Sequence, residues 1–405
     1  MGTRYLIIGA GIAGSTAAEA IRERDKEGEI TLISGEPELV YSRILLTKFF
    51  KGKLAREKLF LKTSESLGAK GITVKAGVWA KSIDTSAKTA ALDNGDVLSF
   101  DKLLIATGGQ PKKWAVPGAD KKGVFHFQTL ADTEAMAQYA KSAKVAAVVG
   151  GGFVSLDLID VLLHYKIETH LFLRQSYYWS QLMDEEQGLR LVKKLESLGV
   201  IVHSNQTIVE VKGNESVSAV KTNTGLEVAV DMVGYGIGLE RNIEFLAGSG
   251  IKTNQGVVVN EYLESSVPGI FAAGDAAEFF DATIGKTHVL GNWDNALGQG
   301  KIAGLNMAGE RAPYQELTSY SMSIGGLIVA TVGNTTVSDS DEIIVRKNEN
   351  DYIKILLAQN RVIGAAFVGG IRDLVGIKKL IAENMKLNGK EKEQLRNSQT
   401  VIPSP

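Results

Sequence analysis

The stretch Tyr5-Leu6-Ile7-Ile8-Gly9-Ala10-Gly11-Ile12-Ala13-Gly14 decides how the chain folds. Tyr5 to Ile8 reads as a short buried strand, three glycines follow in the spacing Gly-x-Gly-x-x-Gly, and the Ala-rich run from Ser15 to Arg24 reads as a helix. A second strand, Ile30 to Ser34, ends shortly before Glu36. Strand, glycine turn, helix, strand and acid, in that order, form the dinucleotide-binding arrangement. Gly9 permits the tight turn, Gly11 lets backbone N–H groups approach a pyrophosphate, and Gly14 lets the helix lie close to the strand. The N-terminus of the helix favours the anion. Ser34 stands where the strand-end acid often falls, so Glu36 is the expected partner of the adenosine ribose.

A second copy lies in mid-chain. Val145 to Val149 reads as a strand, followed by Gly150-Gly151-Gly152-Phe153-Val154-Ser155-Leu156-Asp157, a helix to about Tyr165, and a strand from Thr169 to Leu173. Ser155 replaces the third glycine and is small enough to keep close packing. Leu173 occupies the strand end where an acid would grip a ribose, and Arg174 follows it. Two such motifs mean two nucleotide sites, or one site and one inherited fold that has lost its ligand.

Composition narrows the chemistry. Lys+Arg 45 against Asp+Glu 46 leaves no bulk charge for nucleic acid or an acidic membrane surface. Forty-four glycines in 405 residues, with only seven prolines, point to turns where the backbone must approach something closely. The sequence contains no cysteine, which excludes disulfides, thiolate-held clusters and a catalytic thiol in this chain. Its five histidines, at 126, 164, 170, 203 and 288, have no metal-site spacing. No apolar run is long enough to span a bilayer, and no signal peptide opens the chain, so the expected location is cytoplasmic.

Around the motifs lie β-rich stretches. Val78 to Ile83, Ala90 to Leu92 and Val97 to Phe100, with a turn at Asp93-Asn94-Gly95-Asp96, read as a hairpin-like set. Two buried strands end in glycine: Lys102 to Ile105 leads into Ala106-Thr107-Gly108-Gly109-Gln110-Pro111, and Val267 to Ala273 leads into Gly274-Asp275. After about Pro313 come short strands around Ile343, Tyr352 to Leu357 and Val362 to Val368, then a helical pattern from Ile371 to Met385.

With these segments in order, the sequence resembles the FAD-dependent pyridine nucleotide-disulfide oxidoreductases, in their ferredoxin/rubredoxin reductase-like branch. Four ordered motifs carry the likeness: Gly9 to Gly14, Ala106 to Pro111, Gly150 to Asp157 and Ala273 to Asp275. Tyr41-Ser42-Arg43-Ile44-Leu45-Leu46-Thr47-Lys48 is similar to the branch's Tyr-x-Arg-x-x-Leu-Ser-Lys segment, and Asn292-Trp293-Asp294-Asn295-Ala296 to the segment after Gly-Asp. The resemblance implies an α/β fold of two Rossmann-like domains with parallel sheets, one inserted in the other, plus a C-terminal α+β domain. It implies FAD on the first site, with Gly9, Gly11 and Gly14 at the pyrophosphate and Glu36 at the ribose. Arg43 and Lys48 would serve the phosphates and flavin region, Val78 the adenine side, Asp275 the ribityl chain and Trp293 the isoalloxazine, with Ala106, Thr107, Gly108 and Gly274 also binding FAD. For Arg43 and Lys48 the alternative is a solvated basic surface, and for Trp293 a core aromatic. Gly150, Gly152, Phe153, Val154, Asp157, Arg174 and Gly238 would hold NAD(P)H. Two departures stand out: Gln128 where the branch often has a flavin-contacting Arg, and Glu240-Arg241-Asn242 where it usually has Arg-Pro-Asn.

The expected domains are 1–112 with 243–312 for FAD, 113–242 for NAD(P), and 313–405 for dimerisation or partner docking. Hydride transfer to FAD needs no catalytic side chain, and without a thiol the electrons must leave the flavin directly. An iron–sulfur electron-transfer protein or subunit is the expected partner, with the chain as a homodimer or as a subunit of a larger redox complex. Two other readings stay open. One is a redox-sensing flavoprotein without productive turnover. The other is a peripheral quinone reductase whose Ile371-to-Ile381 helix lies on a membrane. NADH and NADPH are not distinguished by Leu173 and Arg174.

Overall fold

The computed structural model describes residues 2–180, 182–281 and 285–397; residues 398–405 of the expected C-terminal domain lie outside the described residues. The chain forms two compact units. The first comprises Met1–Phe49, Leu54–Gln110 and Leu239–Glu316, and the second Phe50–Lys53, Pro111–Gly238 and Leu317–Pro405.

The first unit is built on a five-stranded parallel sheet in the order Ile270–Ala272, Lys102–Ile105, Arg4–Ile8, Glu29–Ser34, Ile72–Ala76. The strand Arg4–Ile8 lies near its centre, with Ile7 opposite Leu32 on one side and Leu104 on the other. Tyr5 to Ile8 are buried in succession, as the apolar run requires when both faces of a parallel sheet are covered. The helix Ile12–Arg24 begins four residues after that strand, earlier than the expected Ser15, because Gly11 already takes the N-cap position. A three-stranded antiparallel sheet, Ala80–Asp84, Thr89–Leu92 and Val97–Ser99, forms the expected hairpin set, turned at Gly95 with φ +92°.

In the second unit a second five-stranded parallel sheet runs Ile201–Ser204, Glu168–Leu173, Val145–Val149, Met232–Tyr235, Val124–His126. Val148 is opposite Leu171 and Gly234. A meander of three short strands, Ile208–Lys212, Ala219–Thr222 and Glu227–Ala229, packs Ile208, Val211 and Val220 on Ala147, Val149 and Phe172 of this sheet.

The same unit carries a five-stranded antiparallel sheet ordered Ser319–Ile324, Leu327–Gly333, Arg361–Gly369, Tyr352–Ala358, Glu342–Lys347. Its first strand alternates apolar residues with serine, and its second is a nearly continuous apolar run. The helix Leu374–Ala382 is shorter than the Ile371–Met385 pattern, since Asn384 at φ +50° breaks it. Ile377 and Ile381 of this helix are buried with Ile344, Ile355 and Phe367. These two residues pack on their own sheet, while Val375 of the same helix is 56% exposed. Among the described residues no helix is long and apolar enough to cross a membrane.

Candidate functional site

Each glycine of the first loop has its own physical reason. Gly9 follows the strand at φ +112°, and a methyl there would lie 2.1 Å from the Ala106 carbonyl oxygen. At Gly14 a methyl would lie 1.9 Å from the Gly9 carbonyl oxygen, so the helix can approach the loop only at glycine. Gly11 is different. Its φ of -68° suits any residue, and nothing in the protein lies within 4 Å of a methyl placed on it. Beyond its N-cap position the chain gives no steric reason for glycine at 11, and the space in front of the helix N-terminus is open. A pyrophosphate would fit this cradle.

The neighbouring loops close on that cradle. Gly274, at φ +72°, donates its N–H to Gln299 Oε1 at 2.8 Å, and a methyl on it would lie 3.2 Å from the Ala13 Cβ. Asp275 therefore sits in a turn against the first turn of the glycine-loop helix. Burial pushes the Asp275 carboxyl up, while Arg241 and Arg43 pull it down. Ala106 continues the sheet by donating to the Ile8 carbonyl at 2.8 Å; Thr107 and Asn242 then pair, the Thr107 hydroxyl donating to the Asn242 carbonyl at 2.7 Å and Asn242 Nδ2 returning to the Thr107 carbonyl at 3.3 Å. Gly108 is at φ +64°.

Glu36 and Arg43 come together. The Tyr41 hydroxyl donates to Glu36 Oε2 at 2.6 Å, Arg43 donates to Glu36 Oε1, and the Arg43 guanidinium lies over the Tyr41 ring at 5.1 Å. Neither role for Glu36 excludes the other: a carboxylate with four lone-pair directions can hold Arg43 and still accept from a ribose. Val78 donates to the Ser34 carbonyl at 2.9 Å, which places it beside the same strand end. Trp79, 52% exposed, covers Gly35 so closely that a methyl there would meet its ring at 2.4 Å. The sequence reading missed Trp79; its only signal was an aromatic next to Val78. Trp293 is half-buried at the start of the helix Trp293–Met307, whose N-cap is Asn292. Lys48 is exposed on the short helix Leu46–Phe50.

The second loop repeats the logic. Gly150 is at φ +119°, with a methyl 2.3 Å from the Gly236 carbonyl oxygen, whereas Gly152 faces open space at an ordinary φ of -128°. Ser155 is fully buried. Gly238 takes φ +108° and its carbonyl accepts from Lys112 N at 3.0 Å. A methyl on Gly236 would lie 2.9 Å from the Val154 Cβ, so Val154 is wedged on the sheet. Tyr178 and Trp179 brace this loop: the Tyr178 hydroxyl donates to the Gly152 carbonyl at 2.7 Å, and the Trp179 ring meets Phe153 edge-on at 4.0 Å. Asp157, half-buried, is pushed up to about 7 by burial and by Asp160, against the pull of Lys51. Arg174 is exposed, its Nε donating to Gln175 Oε1 at 3.4 Å.

Residues 3–300 match the family described as pyridine nucleotide-disulphide oxidoreductase, and residues 321–385 match the rubredoxin NAD+ reductase C-terminal domain. The chain belongs to the pyridine nucleotide-disulphide oxidoreductase family. FAD and NAD(P)H are the cofactors of this family, and the two glycine cradles fit these dinucleotides. Among relatives of this oxidoreductase, the nitrite reductase [NAD(P)H] of Bacillus subtilis is 30% identical over 91% of the chain and 46% of its own length. The chain thus spans about half of that protein. The NADH-rubredoxin oxidoreductase of Clostridium acetobutylicum is 28% identical, over 94% of both chains. The crystal structure of the covalent putidaredoxin reductase–putidaredoxin complex superposes with a TM-score of 0.92 at 23% identity, covering 98% of this chain and 96% of that one.

Proposed function

We propose that this oxidoreductase passes electrons between NAD(P)H and an iron–sulfur carrier protein or subunit of the rubredoxin or ferredoxin type. The observation that carries the reading is the pair of open glycine cradles, at Gly11 and Gly152, in a chain with no cysteine. Two dinucleotides have a place to bind, and no thiol of this chain can take the electrons onward. The relatives' names, and the match of residues 321–385 to a rubredoxin reductase C-terminal domain, support an iron–sulfur acceptor.

When bound, FAD supplies the chemistry: it accepts two electrons as hydride from the nicotinamide and releases them singly. The chain's own part is binding and orientation. The N-terminus of the helix Ile12–Arg24 draws the FAD pyrophosphate onto Gly11, and that of Phe153–His164 draws the NAD(P)H pyrophosphate onto Gly152. Glu36 takes the FAD ribose and Asp275 the ribityl hydroxyls. Lys48 and Trp293 serve the flavin, and Asp157 and Arg174 the second nucleotide. NADH is the favoured coenzyme by family habit. Residues 1–112 with 243–312 act as the FAD domain, 113–242 as the NAD(P) domain, and 313–405 as a dimerisation or partner-docking domain, in the cytoplasm.

Anaerobic addition of NADH to the FAD-loaded protein is expected to bleach the flavin absorbance, and an oxidised iron–sulfur carrier to restore it. Flavin that stays oxidised with both NADH and NADPH overturns the proposal.

A further inference from the structure

The two nucleotide motifs can be laid on each other by register. In the first sheet Ile8 pairs with Ile33, and the Gly9 N–H donates to the Ile33 carbonyl at 2.9 Å. In the second, Val149 pairs with Phe172, and the Gly150 N–H donates to the Phe172 carbonyl at 3.3 Å. Ile33 and Phe172 are therefore equivalent, and both strands end on the next residue, Ser34 in one and Leu173 in the other. Beyond the strand end, Gly35 corresponds to Arg174 and Glu36 to Gln175. Where the first motif sets a glycine and then a carboxylate, the second sets a guanidinium and then a neutral amide.

Packing and sequence together keep an acid from this place. The Leu173 side chain is 2% exposed and lies on the glycine loop, where a methyl on Gly151 would be 3.3 Å from its Cδ2. The main chain on either side of Arg174 is fastened to the residues that follow the neighbouring strand Ile201–Ser204. The Gln206 N–H donates to the Leu173 carbonyl at 2.9 Å, and the Asn205 N–H to the Gln175 carbonyl at 3.1 Å. Between these two carbonyls the Arg174 side chain is exposed, its Nε donating to the neutral Gln175 Oε1, and among the described residues it forms no ion pair. From Arg174 to Met183 the chain carries no acid at all. A carboxylate at a strand end accepts from ribose hydroxyls and repels a 2′-phosphate; an arginine does the converse, pairing with the phosphate through its planar fork.

We propose that Arg174 is a specificity-determining residue: the second cradle is built for the 2′-phosphorylated coenzyme, NADPH, and discriminates against NADH. The inference rests on the reading of that cradle as the NAD(P)H site, and it departs from the family habit of NADH. With its main chain fastened beside the glycine loop, Arg174 carries its charge to a phosphate on the ribose, and Gln175 sets no charge against it. NADH, lacking that phosphate, gains nothing from the guanidinium and finds no carboxylate at the strand end.

The test is calorimetric titration of the FAD-loaded protein with NADP+ and with NAD+ at low salt. NADP+ is expected to bind about tenfold more tightly or better, the effect of one charge-assisted hydrogen bond or more. The ratio should shrink as salt is raised, because the pair is exposed. Arg174→Ala is expected to lose most of the ratio, Arg174→Lys to keep part of it, and Arg174→Glu to turn it toward NAD+. Wild-type protein that binds NAD+ as tightly as NADP+, or more tightly, overturns the proposal, and so does a ratio unchanged in Arg174→Ala. Protein that takes up no FAD, or that binds neither coenzyme once loaded, is a different result: it overturns the functional reading and this inference with it.

Discussion

Gly300 faces Ala13 so closely that a methyl on Gly300 would lie 2.3 Å from the Ala13 carbonyl oxygen. Four residues on, a methyl on Gly304 would lie 2.5 Å from the Ala17 carbonyl oxygen. The helices Trp293–Met307 and Ile12–Arg24 therefore meet backbone to backbone, and this contact carries the Gly274 turn onto the first glycine loop. Gly300→Ala is expected to cost about 2–3 kcal/mol in urea unfolding, because overpacking forces the helices apart. FAD content per chain should fall with it, read from the flavin-to-protein absorbance ratio.

Gly11 and Gly14 separate ligand binding from folding. Gly14→Ala places a methyl against the Gly9 carbonyl and is expected to destabilise the apoprotein by about 3 kcal/mol or more. Gly11→Ala meets nothing in the protein, so apoprotein stability should stay within about 1 kcal/mol of wild type while FAD affinity collapses. Equal losses of stability in the two variants would contradict the reading of Gly11 as a ligand-facing glycine.

Asp157 should make the chain more stable in acid than in base over one window. Its folded value, about 7, lies above the ordinary 3.8, so the folded state holds the proton more tightly. The stabilisation is complete below about pH 4 and is lost as pH rises through about 7. Asp157→Asn, which cannot ionise, is expected to gain about 2–4 kcal/mol over wild type at pH 8 and little at pH 4, an upper range for a half-buried group. Urea midpoints at the two pH values measure the difference.

A histidine relay titrates with the opposite sense. His170 Nε2 lies 3.0 Å from Glu168 Oε1, and His170 Nδ1 lies 3.0 Å from His203 Nε2. The carboxylate can only accept, so His170 carries its proton on Nε2, and its Nδ1 accepts from His203 Nε2–H. Burial and then His170 lower His203 below its ordinary 6.5, so the folded state prefers it neutral. The unfolded chain takes up the proton first, and stability falls as pH drops from about 6.5 through the lower folded value. His203→Gln should flatten that fall in urea midpoints between about pH 7 and pH 5; an unchanged slope would count against the relay.

The two parallel sheets were legible because each central strand is a run of buried apolar residues closed by glycine, a signal confined to neighbours in sequence. Tyr5 to Ile8 and Val145 to Val149 needed no partner to be read. The meander at Ile208–Lys212, Ala219–Thr222 and Glu227–Ala229 escaped notice, since its strands are short and only one face is apolar. The strand Ser319–Ile324 was hidden by its alternating serines, while Leu327–Gly333 is an apolar run that the sequence offered. At the candidate site, the bond from Arg241 to Asp275 spans 34 residues and that from Thr107 to Asn242 spans 135, so no local pattern announces either.

By itself the sequence determined the glycine turns, the helices they open and the absence of any thiol in this chain. Each depends on a residue's own backbone freedom or side-chain chemistry. Only the tertiary structure decided that Gly9 and Gly14 answer to the protein while Gly11 faces open space. It alone, too, paired Arg43 with Glu36 and set Arg241 on the main-chain carbonyl of Asp275. The reason is physical: steric room and electrostatic pairing are properties of atoms brought together across the fold, and a chain read in order carries no record of which distant atoms will share a space.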